Sequence, residues 1–182
     1  MSVTEASPLD QPNPRGEAMV AELLWVHEAI RRDLATVRRM AAEVTAGAPV
    51  ADITAGIRSL AVNGPLWHLK INCLRYCRFV HSHHTLESAM LFPELRRMNP
   101  ALSAVVDKLE ADHASVSGLL DDVSAAAQAL GERELGERDE PQVRERLTGA
   151  LQRLSTDLLA HLSYEEEHIS DTLRTWTAWP RW

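Results

Sequence analysis

Leu102, Val106, Leu109, His113, Val116, Leu120, Val123, Ala127 and Leu130 follow one another at steps of three or four residues, which draws one stripe down one side of an α-helix. Three more segments carry such a stripe: Leu23, His27, Ile30, Leu34, Val37 and Ala41; Leu69, Tyr76, Val80, His83, Glu87 and Leu91; and Leu147, Leu151, Leu154, Leu158, His161, Glu165, Ile169 and Leu173. An apolar stripe has to be covered, and four amphipathic helices cover one another as a bundle. No alternation of period two competes, so the expected fold class is all-α: an antiparallel, up-down-up-down four-helix bundle.

Helix-breaking residues divide the chain. The first helix is expected over 17–45, ending before Gly47 and Pro49, with a short extra helix near 53–62 in the connection to the second. Asn63-Gly64-Pro65 opens the second helix, Pro93 should kink or loosen it, and Asn99-Pro100 ends it. The third helix stops at Gly131, residues 132–140 read as a charged connection, and the fourth helix starts near Pro141. Residues 1–16, with three prolines, read as a flexible lead-in, 17–175 as the bundle, and 176–182 as a tail carrying Trp176, Trp179 and Trp182. Antiparallel order would bring those indoles over the bundle end, towards Trp25.

A chain of 182 residues suits one core. The net charge of -7 and the lack of a basic cluster argue against a nucleic-acid partner. No apolar run approaches the ~18 residues of a membrane span, and the first residues lack a secretory pattern, so a cytoplasmic protein without a membrane partner is expected. Cys73 and Cys77, one helical turn apart, are poorly placed for a disulfide and read as buried thiols.

The stripes are interrupted in an unusual way. His27, His83, Glu87, His113, His161 and Glu165 occupy core-facing positions, although such groups are rarely buried without partners. The word His-x-x-x-Glu occurs twice, as His83 to Glu87 and His161 to Glu165, and a step of four places both side chains on one face. Depths agree as well. His27 lies 18 residues before Thr45 and His83 lies 18 after Pro65, while the centre of the His83/Glu87 pair precedes Met98 by 13 residues and His113 follows Pro100 by 13. His113 precedes Gly131 by 18 residues and the centre of the His161/Glu165 pair follows Pro141 by 22, a mismatch of one turn.

Six imidazole and carboxylate groups at one depth form a mixed nitrogen and oxygen site, which favours a transition metal over magnesium or calcium. Carboxylates from two helices can bridge two ions while imidazoles fill terminal positions, with iron the leading candidate and zinc or manganese compatible with the chemistry.

In order and spacing these residues resemble the hemerythrin-like, or HHE, cation-binding family. The resemblance rests on a histidine in the first helix, His83-x-x-x-Glu87 followed by Leu91-Phe92-Pro93, Asp112-His113, and His161-Leu162 with Glu165-Glu166. It implies two iron ions in an oxo- or hydroxo-bridged di-iron centre that binds a small oxidant such as dioxygen, nitric oxide or peroxide, for sensing, detoxification or iron handling. Carried over by motif, the ligands are His27, His83, Glu87, His113, His161 and Glu165, with the two glutamates bridging. If the protein is catalytic, the resemblance implies a di-iron oxidoreductase.

The chain departs from the oxygen-carrying members of that family at Ser117, where they have a second histidine four residues after the first. His168, seven residues after His161, and His84 are the possible replacements; His84 lies roughly 100° from His83, and His68 lies about four turns away. A second reading is a ferritin-like di-iron oxidase or oxygenase acting on an organic substrate, whose word Glu-x-x-His fits Glu110 to His113 and Glu165 to His168. A third is a metal-free bundle with a pH-responsive histidine core.

Overall fold

The computed structural model describes residues 13–46, 65–130 and 140–179, with side chains from 68 onward in the second stretch and from 141 onward in the third. The expected short helix near 53–62, the connection over 132–139, most of the N-terminal lead-in and Trp182 lie outside the described residues. Among the described residues there is no strand, and the long elements are α1 (Pro14–Thr45), α2 (Pro65–Leu86), α4 (Ser103–Gln128) and α5 (Glu140–Arg174). A π-turn (Glu87–Leu91) joins α2 to the short helix α3 (Phe92–Met98), and one 3-10 turn (Pro100–Leu102) leads into α4.

Helix α1 starts at Pro14, three residues before the expected 17, because Asn13 is an effective cap. Its Oδ1 accepts the Arg15 amide at 3.1 Å, and Pro14 occupies a first-turn position that has no use for an amide. The same asparagine donates through Nδ2 to the Trp176 carbonyl at 2.6 Å, and Arg15 donates to the Thr177 carbonyl at 3.3 Å. These bonds tie the chain following α5 to the start of α1. Trp176 and Trp179 cover this end of the bundle, with partners other than Trp25. Trp176 is buried among Met19, Val20 and Leu173, and Trp179 donates to Glu22 at 3.0 Å, while Trp25 stays 67% exposed.

The close approach of α1 and α5 requires Gly16, since a Cβ there would lie 2.0 Å from the Arg174 carbonyl oxygen. Gly16→Ala is therefore expected to cost about 1–3 kcal/mol as backbones are forced apart. Gly118→Ala, with nothing within 4 Å of the added carbon, should instead stabilise by up to about 1 kcal/mol through helix propensity. Urea unfolding of the two variants checks both signs.

Pro93 loosens the helix as expected, and the form it takes is the π-turn. Proline has no amide and its ring would strike the carbonyl four residues back. The preceding turn widens, so that the Phe92 amide bonds Glu87 O, five residues earlier. Asn99, extended as a residue before proline must be (φ -138°, ψ 85°), ends α3.

Buried apolar residues form two clusters, the larger including Ile30, Leu34, Leu69, Val116, Leu154 and Leu158, the smaller Met19, Leu23, Phe92, Leu109, Ile169 and Trp176. Each long helix passes from one cluster to the other, and the direction reverses each time. From N- to C-terminus, α1 and α4 go from small to large, whereas α2 with α3, and α5, go from large to small. In every helix the interrupting histidines and glutamates lie at the passage between the two.

Candidate metal centre

At that passage His27, His83, Glu87, His113, His161 and Glu165 come together, and His84 joins them. All are buried in the chain except His83, whose side chain keeps 10% of its exposure. His83 Nε2 lies 3.1 Å from Glu87 Oε1, His113 Nε2 lies 3.5 Å from Glu87 Oε2, and His27 Nε2 lies 3.4 Å from Glu165 Oε2. The Nε2 atoms of His113 and His161 are 3.1 Å apart. These side chains form two groups, each with one donor atom per residue and all donors within 4.8 Å of one another: His27, His83, Glu87 and Glu165; and His84, Glu87, His113 and His161. Glu87 belongs to both.

His84 enters because of where the axis of the buried face lies. Val80 and Glu87, two turns apart, mark the middle of the buried side of α2, and at about 100° per residue His83 and His84 fall roughly 50° to either side of it. Measured from His83 alone, His84 looks turned away. Measured from Val80 and Glu87, with Cys77 seven residues earlier on the same flank, it points inward, and its ring stacks on His113 with centroids 4.1 Å apart. Phe92, brought inside by the π-turn, covers the His113 ring at 4.9 Å. Wide turns of this kind recur at functional sites, where they re-aim side chains.

Surrounding groups hold the rings with Nε2 inward. Glu166 accepts from His27 Nδ1 at 2.8 Å and is itself clamped by both guanidinium nitrogens of Arg31, at 2.8 and 3.1 Å. Ser88 Oγ sits 2.8 Å from His113 Nδ1. Asp112, paired with Lys108, faces His161 Nδ1 at 3.8 Å. With Nδ1 carrying the proton towards its oxygen partner, the Nε2 of a neutral ring presents a lone pair to the interior, the arrangement that outer carboxylates impose on metal-binding histidines, and His27 reaches it on giving up its second proton.

Eight buried side-chain atoms here lack a hydrogen-bond partner: Nε2 of His27, His83 and His84, Nδ1 of His161, and both carboxylate oxygens of Glu87 and of Glu165. At about 1–3 kcal/mol for each unsatisfied buried group, their combined cost rivals the entire stability of a typical domain, about 5–15 kcal/mol. A hydrogen-bonded histidine core would not leave such a set. Bound cations would satisfy seven of the eight, all but His161 Nδ1, which faces Asp112, and imidazole with carboxylate is a donor set suited to a transition metal.

The electrostatics of the metal-free site agree. Burial, reinforced by neighbouring imidazoles, pushes His83 and His113 down to about 3 and lowers His84 and His161, leaving neutral rings able to ligate. Burial also favours neutral His27, but the surrounding Glu165, Glu166 and Glu87 carboxylates outweigh it and raise the ring to about 11. Burial and the neighbouring Glu165 carboxylate lift Glu87 to about 8.

These shifts fix how stability of the metal-free chain varies with pH. Below 6.5 the unfolded chain takes up protons that folded His83, His84, His113 and His161 refuse, so their contribution is lost as pH falls from 6.5 towards 3. Glu87 and His27 act in the opposite sense, their contributions fading as pH rises through about 8 and about 11. Four groups outweigh Glu87 on the acid side, and on the alkaline side Glu87 and His27 change first, with the raised Cys73, Cys77 and Tyr76 acting in the same sense at higher pH. Urea midpoints in excess chelator are expected to peak near pH 6.5, the ordinary value of histidine; a peak above pH 8 would contradict this balance.

Other polar residues of interest lie elsewhere. His168 bonds the Tyr164 carbonyl at 2.7 Å and stacks on the Tyr164 ring, and it belongs to neither group. Glu110 is exposed and paired with Arg96 at 2.8 Å, so it is not the inward glutamate that the Glu-x-x-His reading needs. Cys73 and Cys77 are free and buried in the larger cluster, where burial pushes the Cys73 thiol up to about 12.

The chain matches the model of the hemerythrin HHE cation binding domain over residues 19–173. No curated protein and no solved structure matches it. The family match spans both apolar clusters up to Leu173 and all seven converging residues, and the chain belongs to the hemerythrin HHE cation-binding domain family.

Proposed function

We propose that this protein holds two iron ions, one against His27, His83 and Glu165, the other against His84, His113 and His161, with Glu87 shared between them. Seven of the unpartnered buried atoms, all but His161 Nδ1, carry this reading, because they belong to two groups of residues that meet at one carboxylate. Glu165 is also placed to reach across, since its Oε2 lies 3.4 Å from His27 Nε2 and 3.7 Å from His161 Nε2. The antiparallel, up-down-up-down order belongs to the same reading, supported by the reversal of direction between the two clusters from helix to helix.

Four donors to each ion leave room in an iron coordination sphere for a small oxidant such as dioxygen, nitric oxide or peroxide. Bound iron would supply electron transfer and Lewis acidity towards that molecule. The chain's own groups do the rest. Glu166, Ser88 and Asp112 keep the imidazoles aimed inward, the two apolar clusters keep bulk water from both ends, and Glu87 and His27 are the groups that give up protons when cations enter. Sensing, detoxification and iron handling all fit such a centre.

Protein purified from iron-rich aerobic growth is expected to carry about two irons per chain, as in di-iron bundles, and to show the absorption of a bridged di-iron centre. Folded but colourless protein without iron would remove the proposal.

A further inference from the structure

Among the described residues, a cavity reaches the candidate centre. It has a volume of about 280 Å³ and opens between α1 and the end of α2, with His83 and Glu87 at its floor. Leu23, Val26, Leu86, Met90, Leu91 and Trp179 form its walls, and Glu22 stands at its rim, holding the Trp179 indole N–H at 3.0 Å. Two larger grooves, one lined by Cys77 and His81 and the other by Arg75 and Arg78, touch none of the seven converging residues.

Size and lining define what fits. A diatomic needs about the ~30 Å³ share of one water, whereas an engineered apolar cavity of about 150 Å³ stays dry and takes up benzene. The cavity here, at about 280 Å³, is therefore large for a gas and close to the lower range of organic-ligand pockets. Its walls offer no cation to an anionic ligand, and the carboxylates of Glu22 and Glu87 oppose one. Glu87 is only 5% exposed and both its carboxylate oxygens are buried, so the surface that faces the cavity is mostly apolar. We propose that this pocket binds a small, uncharged, apolar organic molecule against the His83 and Glu87 edge of the centre, beneath the Trp179 indole.

The inference rests on the di-iron reading for any chemistry that follows, but binding itself can be read without metal. Benzene titrated into the full metal-free chain is expected to shift the His83 ring and Trp179 indole resonances saturably in NMR spectra. Met90→Trp, which fills the pocket, should weaken benzene by about tenfold or more with helical circular dichroism unchanged. Leu86→Trp, at a position 49% exposed, gives the same test if the first variant misfolds, and Trp179→Ala should weaken benzene several-fold by removing one wall. No saturable shift, shifts confined to other residues, unchanged affinity in the filled variants, or a response to xenon without one to benzene would overturn the proposal. Benzene binding in a chain that never takes up iron would sink the di-iron reading and leave the pocket standing; iron without benzene binding would do the reverse.

Discussion

Glu87→Ala is expected to abolish metal binding altogether, whereas each of the other six residues serves mainly one group. Both carboxylate oxygens of Glu87 are buried, without hydrogen-bond partners, and lie 3.1 to 3.9 Å from imidazole nitrogens of both groups. Alanine deletes a donor from each proposed ion, together with the shared negative charge that offsets the repulsion between two close cations, so both positions should lose metal. Loss of metal should also appear as loss of stability. A ligand present at 1,000 times its dissociation constant stabilises by about 4 kcal/mol, and for a chain of this size each kcal/mol moves the melting temperature by about 2–4 °C. Wild-type protein should melt about 10 °C lower after chelation, while Glu87→Ala should melt at one temperature with or without chelator. The variant should remain helical, since the change removes an unsatisfied buried carboxyl and not a packed apolar group. Glu110→Ala, at an exposed position paired with Arg96, should keep its metal and its chelator response. Full metal content in Glu87→Ala would mean that the two groups are not joined through this residue.

Much of this architecture is legible in the chain because burial and period are coupled. The stripes through Ile30, Val80, Val116 and Leu158 are buried, and counting residues from helix ends brings His27, His83, His113 and His161 to one depth without side-chain detail. Other features depend on information that periodicity does not carry. The start of α1 at Pro14 depends on a cap that also bonds the far end of the chain, a contact across 163 positions. A proline near the end of α2 announces a disturbance, but whether it becomes a kink or a π-turn depends on the packing of Phe92 against His113. Trp179 meets Glu22 and not Trp25 because an indole N–H at the surface gains more from a carboxylate than from a second ring. The inward placement of His84 depends on geometry that its angle from His83 alone does not give. Neighbouring residues can both face a core when the axis of the buried face runs between them, and on α2 that axis is marked by Val80 and Glu87.

His84→Ala supplies the second large expected effect, and it separates the two metal positions. In this chain the third long helix has Ser117 where a second histidine would complete the usual pair with His113, so α4 contributes one imidazole only. His84 reaches the His113 and His161 side from α2, with ring centroids 4.1 and 5.1 Å away. It is not a member of the group built on His27 and Glu165, although its ring centroid lies 5.5 Å from that of His83. Its ring is nearly buried, held neutral by burial and by the adjacent imidazoles, and its Nε2 has no hydrogen-bond partner. Replacing it with alanine should release the ion bound by His84, His113 and His161 while His27, His83, Glu87 and Glu165 retain the other. Metal content should therefore fall from about two irons per chain to about one, with loss of the absorption that requires a bridged pair. The removed ring also leaves a gap beside His113, so a melting temperature below that of chelated wild type would reflect packing alone. Metal content is the deciding measurement. His168→Ala is the matched control, because that ring stacks on Tyr164 and bonds its carbonyl, and it should change neither metal content nor spectrum. A full complement of iron in His84→Ala, with an unaltered spectrum, would remove His84 from the centre and leave the place of the absent histidine to a donor from another helix.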